Sequence, residues 1–259
     1  MKKLDDFFRK EYIDYISRGD IQLSFEENSW SLMKDFVKQK LGIEHRKKVI
    51  EFGSMLGFVT SLMSKECDIV GLEPVKLLLE FSRNLIKEHS IANCKFFEYE
   101  IGNASFYEEF DAGFCIHGLP HFLSFEEMQE LFRDFNRVLK LNGLFFVDFT
   151  NRERMISKFI PRIWDKVELK SGETLYILQE NSLNLEKSNL FSIWTYIYSN
   201  RGVSASYNID LKLYTLTEII KIAGDSGFRV VEILGSWSGH PYRVDSHRMI
   251  VLIRKERRM

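Results

Sequence analysis

The sequence predicts an α/β protein with a doubly wound, mostly parallel sheet and a small antiparallel β insertion near its C-terminal half. Three observations carry this. Short apolar runs alternate with amphipathic stretches between residues 47 and 150. The rhythm breaks at 161–215, where β-rich runs succeed one another with no helix between them. It then returns as one helix and two strands. Strands alternating with helices imply parallel pairing with both faces covered. Strands in direct succession imply antiparallel pairing.

Each element follows from its residues. Leu4, Phe7, Phe8, Tyr12 and Ile16 recur at helical spacing. A second helix is expected after Ser24, with Glu27 closing a capping box and Gly42 ending it. VIEF (49–52) is a strand and MLGFVTSLM (55–63) a helix. DIVGL (68–72) is the second strand and VKLLLEFSRNLIKEH (75–89) the helix after it. CKFFEY (94–99) and FDAGFCI (110–116) are the third and fourth strands. SFEEMQELFRDFNRVLKL (124–141) is a strong helix opened by Ser124 and Glu127. Asn142-Gly143 reads as a turn before the fifth strand, LFFVDFT (144–150). LYILQENSL, LFSIWTYIYS and SASYNIDLKLY are three strands of the insertion. Thr217 caps a helix that Gly227 stops, and FRVVEIL and HRMIVLIR are the last two strands.

Composition narrows the function classes. The 259 residues carry 36 basic and 37 acidic side chains. That balance lacks the basic excess phosphate contacts demand, so no nucleic-acid partner is expected. No window approaches the ~18 apolar residues of a membrane span, and the N-terminal stretch lacks a signal peptide's apolar run. The three cysteines include no C-x-x-C spacing, which points to a reducing, cytoplasmic setting.

The chemistry gathers at EFGSMLG, residues 51–57. Ligands of open α/β sheets bind beyond the carboxyl ends of the strands. Gly53 permits a sharp turn there and Gly57 a close approach, before a helix N-terminus. Met55 stands where a third glycine is expected; ordinary φ at this position would let methionine serve. Its side chain should then point into the core or pack near the cofactor. Glu73 ends the second strand, where a carboxylate can accept from both hydroxyls of a ribose. Glu100, past the third strand, could accept from an adenine amine. Such acids suit a cationic cofactor better than a pyrophosphate.

These residues resemble a class I S-adenosylmethionine-dependent methyltransferase of small-molecule type. The family's first motif is acid-x-Gly-x-Gly-x-Gly. Glu51, Gly53 and Gly57 match it, Met55 departs, and GLEP supplies the ribose acid. The stretch from Phe110 to Phe149 is similar to the family's fourth strand through fifth strand. The resemblance covers about residues 45–150 and 214–254. It implies a Rossmann-like seven-stranded sheet with an antiparallel last strand, and S-adenosylmethionine as cofactor. By resemblance, Glu51 orients the methionine amino group, and Gly53 and Gly57 make room for the methionine end. Glu73 takes the ribose, and Glu100 and Ile101 meet the adenine, with Pro74 or Leu78 on its face. Ile116 and His117 approach the sulfonium. A gapped alignment would use Asn103 in place of Glu100. Residues 1–46 then read as an N-terminal helical lid segment and 47–160 with 214–259 as the cofactor-binding core. Residues 161–213 are a β insertion covering the substrate site.

Catalytic and substrate candidates follow from position. His117 and His121 lie on the loop after the fourth strand and are candidate bases. Gly118 and Pro120 between them forbid a regular helix, and no metal site is expected. Tyr12 lies on the lid segment. Trp194, Tyr196 and Tyr198 alternate on one strand and share a face. In GSWSGHPYRVDSHR (235–248), Trp237, His240, Tyr242 and Arg243 could face the acceptor, with Arg suiting a carboxylate. The expected function is methyl transfer to a small molecule, amine ahead of hydroxyl, by a monomer or homodimer. One alternative is a methyltransferase-like binding or partner protein without catalysis. Another is an NAD(P)-dependent oxidoreductase, whose G-x-G-x-x-G fingerprint Gly53–Gly57 does not fit.

Overall fold

The computed structural model describes residues 4, 8–17, 29–45, 47–116, 118–169 and 171–259. The described chain opens with α1 (Lys10–Ser17) and α2 (Ser29–Leu41). It continues through β1 (Lys48–Phe52), α3 (Phe58–Met63), β2 (Asp68–Glu73), α4 (Lys76–Glu88), β3 (Cys94–Glu98) and β4 (Phe110–Cys115). A 3-10 turn (Leu119–Phe122), α5 (Phe125–Val138), β5 (Leu139–Thr150) and α6 (Arg152–Ser157) follow. Then come β6 (Arg162–Glu168), β7 (Thr174–Asn184), β8 (Asn189–Tyr198) and β9 (Gly202–Lys212). The chain closes with α7 (Leu216–Asp225), β10 (Phe228–Leu234) and β11 (Arg248–Lys255).

Seven strands form one sheet in the order β10-β11-β5-β4-β1-β2-β3. Strands β1 to β5 pair in parallel, while β11 runs antiparallel to both β5 and β10. The strand order reverses between β1 and β4, so the crevice beyond their carboxyl ends is the switch point. Both faces are covered, which is why β1, β4 and β5 read as nearly unbroken apolar runs. One core cluster gathers Ile50, Phe52, Phe135 and Phe145; the other gathers Val49, Phe114, Phe146 and Ile250 on the opposite face.

Strands β6 to β9 form a separate antiparallel sheet in chain order. The sequence reading expects three strands here and the structure has four. RIWDKVE was obscured by its charges, because only Val167 of this edge strand is buried. Trp194, Tyr196 and Tyr198 do share a face, packed with Leu175 and Ile177. This sheet is tied to the core by Tyr214, whose hydroxyl donates to the carbonyls of Leu123 and Ser124 at 2.9 and 3.0 Å.

Local signals explain most boundaries. Ser124 and Glu127 close the expected capping box on α5. On α7 the cap is Thr215, boxed with Glu218, not Thr217. The Asn142-Gly143 turn does not separate α5 from β5. The strand starts at Leu139 and passes through Asn142 at φ +66°. Gly42 ends α2 at φ +57°, whereas the Ser24–Glu27 box lies outside the described residues. Among the described residues no helix is long and apolar enough to cross a membrane.

Candidate active site

The loop after β1 is strapped to β2. The N–H groups of Gly53 and Ser54 both donate to the Leu72 carbonyl, at 2.8 and 3.1 Å. Glu73 completes the strap: Oε2 accepts from the Met55 N–H at 2.6 Å and Oε1 from the Val75 N–H at 2.9 Å. A carboxylate offers about four acceptor directions, so these two bonds leave capacity for further donors.

Both positions require glycine, Gly53 for the sharp turn expected of it. Gly53 and Gly57 lie at φ +69° and +76°. A Cβ on Gly53 would come within 2.8 Å of Leu119 Cβ, and one on Gly57 within 2.6 Å of Phe96 Cζ. The close approach is to protein side chains. Met55 also departs from expectation. Its φ is +54°, so methionine sits in the left-handed region at a cost of about 1 kcal/mol. Its side chain, half-buried, lines the cavity beside the loop.

Glu51 lies beneath this loop, fully buried. Its Oε2 accepts from the Thr60 hydroxyl, while among the described residues Oε1 has no partner, nor has the buried Ser54 Oγ. Burial pushes the Glu51 pKa well up, and the nearby Glu73 charge adds to it. An orphaned carboxyl oxygen here is a receptor for a cationic donor.

Beyond the loop is a cavity of about 480 Å³, within the range of small-molecule sites. Tyr12, Trp30, Ser54, Met55, Asp148, Trp194, Trp237 and Arg248 are among its lining residues, so both sheets and both N-terminal helices contribute. Helix α1 is held over it by tyrosine–carboxylate bonds to the second sheet. Tyr198 donates to Asp14 at 2.8 Å, Tyr207 to Glu11 at 3.0 Å, and Tyr15 to Asp165 at 3.1 Å. Tyr12 is buried and its pKa is raised, chiefly by burial and then by the charges of Tyr15 and Glu73. It keeps its proton, so it can donate a hydrogen bond but is no general base.

His121 lines the cavity, yet its nitrogens are both engaged. The Thr150 N–H donates to Nε2 at 2.8 Å, which places the ring proton on Nδ1, facing the Lys212 carbonyl at 2.9 Å. Burial holds its pKa down at about 4. The expected substrate contact or base is therefore a neutral clamp between β5 and β9. His117 lies outside the described residues.

The structure does not gather every expected residue. Glu100 is exposed and accepts from Asn103 Nδ2 at 3.3 Å, so the two rival adenine candidates are neighbours on one turn away from the cavity. Leu78 is buried in the core with the half-buried Ile101 packed against the same cluster, Pro74 is buried after β2, and none of the three lines the cavity. Ile116 shares the face of Phe114 and is fully buried in the core, so only its backbone is at the site. His240, Tyr242 and Arg243 do not reach the cavity. Asn151 pulls their loop down, donating to the carbonyls of Arg243, Val244 and Ser246. Tyr242 donates to Asn151 Oδ1 at 3.0 Å, and Arg243 and His240 face solvent.

The polar pair that does line the cavity was missed. Asp148 and Arg248 are diagonal neighbours on β5 and β11. Arg248 Nε donates to Asp148 Oδ1 at 2.7 Å and Nη2 donates to Oδ2. The available signal was a charge inside LFFVDFT. An acid in a strand buried on both faces must find a partner.

A methyltransferase-domain family model matches residues 49–143. Over those residues the chain is similar to methyltransferase domains. No match is found among curated protein sequences. Solved structures similar to this chain include an S-adenosylmethionine-dependent methyltransferase from Clostridium acetobutylicum. It has a TM-score of 0.77 and 12% identity, over 94% of this chain and 97% of the other. An amino pentose methyltransferase from Micromonospora echinaspora, solved with S-adenosylmethionine, has a TM-score of 0.68 and 16% identity, over 96% and 98%. A sugar N-methyltransferase from Streptoalloteichus has a TM-score of 0.72 and 16% identity, over 96% and 94%. At such identities the likeness is one of fold. S-adenosylmethionine is bound in the Micromonospora neighbour, and the donor set of this chain fits that group. The orphaned Glu51 and Ser54 oxygens and the Glu73 carboxylate suit a ligand with an ammonium, a sulfonium and a ribose.

Proposed function

We propose that the protein methylates a small-molecule acceptor at nitrogen, in the cavity between the loop after β1 and the second sheet. Bound S-adenosylmethionine supplies a methyl group on a positively charged sulfur. The chain's own residues bind and align. Glu51 and Ser54 receive the methionine end, and Glu73 the ribose. Helix α1 excludes water, which matters because alignment and desolvation supply much of the rate of such a displacement. Residues 1–46 act as the lid, and 161–213 shape the acceptor site through Trp194.

The observation that carries the choice of nitrogen is the state of the titratable groups among the cavity's described lining residues. Both nitrogens of His121 are occupied, Tyr12 holds its proton, and Asp148 is tied to Arg248. A hydroxyl acceptor would want a general base, whereas an amine need only arrive neutral. The structural neighbours described as amino pentose and sugar N-methyltransferases support the same reading. The test is turnover to S-adenosylhomocysteine on matched amine and hydroxyl acceptors. Amines should react, with a rate rising through the acceptor's own pKa. Faster turnover of the hydroxyl partner would sink the proposal. Glu73→Ala should weaken S-adenosylmethionine binding at least tenfold by calorimetry, and unchanged binding would remove Glu73 from the cofactor site.

A further inference from the structure

A second cavity of about 490 Å³ adjoins the first. Thr150, Trp194, Leu211 and Arg248 line both. The second chamber lies between α6 with the chain after it and the inner face of β7 and β8. Its charged lining is one-sided: Arg154, Lys158, His247 and Arg248 contribute, and among the described residues no Asp or Glu does. Asp148 belongs to the first cavity only. Its floor is polar and ordered, with Ser192 Oγ donating to Asn181 Oδ1 at 2.6 Å.

Arg248 stands at the partition. Asp148 engages its Nε and Nη2, and its Nη1 has no partner among the described residues. The pair fixes the guanidinium plane and leaves one edge of the fork unused. Arg154 is anchored similarly, with Nη1 donating to the Asp245 carbonyl at 3.1 Å. A preorganised fork with spare donors, in a chamber whose described lining holds no competing acid, matches a planar or tetrahedral oxyanion.

We propose that the second chamber binds an acidic group of the methyl acceptor, a carboxylate or a phosphate, while the accepting atom lies in the first cavity. The proposal rests on the methyl-transfer reading and names the acceptor's class. Arg248 and Trp194 then act as specificity residues, setting the distance between the acid and the accepting atom.

The test uses the full chain saturated with S-adenosylhomocysteine. Phenyl phosphate, benzoate and neutral benzyl alcohol are titrated calorimetrically into wild type, Lys158→Glu and Arg154→Gln. Lys158 is exposed, so its variant should fold as wild type. An anionic probe should bind more tightly than benzyl alcohol, weaken with added salt, and lose at least tenfold in affinity in both variants. Preference between phenyl phosphate and benzoate identifies the acid. Binding of S-adenosylhomocysteine without any preference for the anions, or equal anion binding in wild type and variants, overturns the proposal alone. Absence of S-adenosylhomocysteine binding overturns the methyl-transfer reading, and this proposal with it.

Discussion

Met55 and His121 show how single residues are fixed by their surroundings. Met55 holds φ +54° because its N–H must reach the Glu73 carboxylate. Met55→Gly relieves about 1 kcal/mol of left-handed strain but adds a similar entropy to the unfolded chain. Stability should therefore change by less than about 1 kcal/mol in denaturant unfolding, and S-adenosylmethionine affinity by less than tenfold. A hundredfold gain in affinity would show a compromised natural loop and favour the binding-protein alternative. His121 is buried neutral, with its pKa near 4 against an ordinary 6.5. The unfolded chain binds the extra proton first, so stability is lost as pH falls from about 6.5 to 4. The full loss is on the order of 3 kcal/mol. His121→Gln should flatten that limb in urea unfolding measured at pH 7 and 5. The rate profile of the enzyme should carry no inflection from this residue near neutrality. The sequence showed both residues as departures or candidates, but φ and tautomer depend on partners far along the chain.

At the scale of elements, α1 is held by phenols. Tyr198 and Tyr207 grip the acids of α1 from β8 and β9, and α1 in turn places Tyr12 over the cavity. A hydrogen bond to a charged group contributes ~1.5–3 kcal/mol. The double variant Tyr198→Phe, Tyr207→Phe should release S-adenosylmethionine about tenfold faster in stopped flow, and trypsin should cut near Lys10 sooner in the unliganded protein. Unchanged release would mean that α1 is not the gate. The elements of the core were legible because period and capping agree with burial, as at Ser124–Glu127. Strand β6 was not, because an edge strand with one buried residue shows no alternation. Within 235–248 Trp237 lines the cavity, but Tyr242 and Arg243 do not, because Asn151, which anchors that part of the loop, lies outside it.

For the whole molecule, the two sheets share a cavity and several ties, including His121 from core to β9 and Tyr214 to the start of α5. They should unfold together. Trp30 and Trp237 report on the core side, and Trp164 and Trp194 on the second sheet. Single-tryptophan variants should give coincident thermal transitions. S-adenosylhomocysteine at a hundred times its Kd should add ~2.7 kcal/mol and raise every one of those transitions. A second-sheet transition that ignores the ligand would separate the insertion from the site.

The sequence by itself determined the doubly wound core, the order of its strands and helices, the loop at Glu51–Gly57 and the acid at Glu73. These rest on local periodicity and on short spacings along the chain. Tertiary structure decided what the site can do with them. Pairing of β5 with β11 brought Asp148 to Arg248, the second sheet folded back over α1, and His121 lost both nitrogens to backbone groups. Each is a contact between residues distant in the chain, and burial makes an unpartnered charge or ring nitrogen too costly to leave alone.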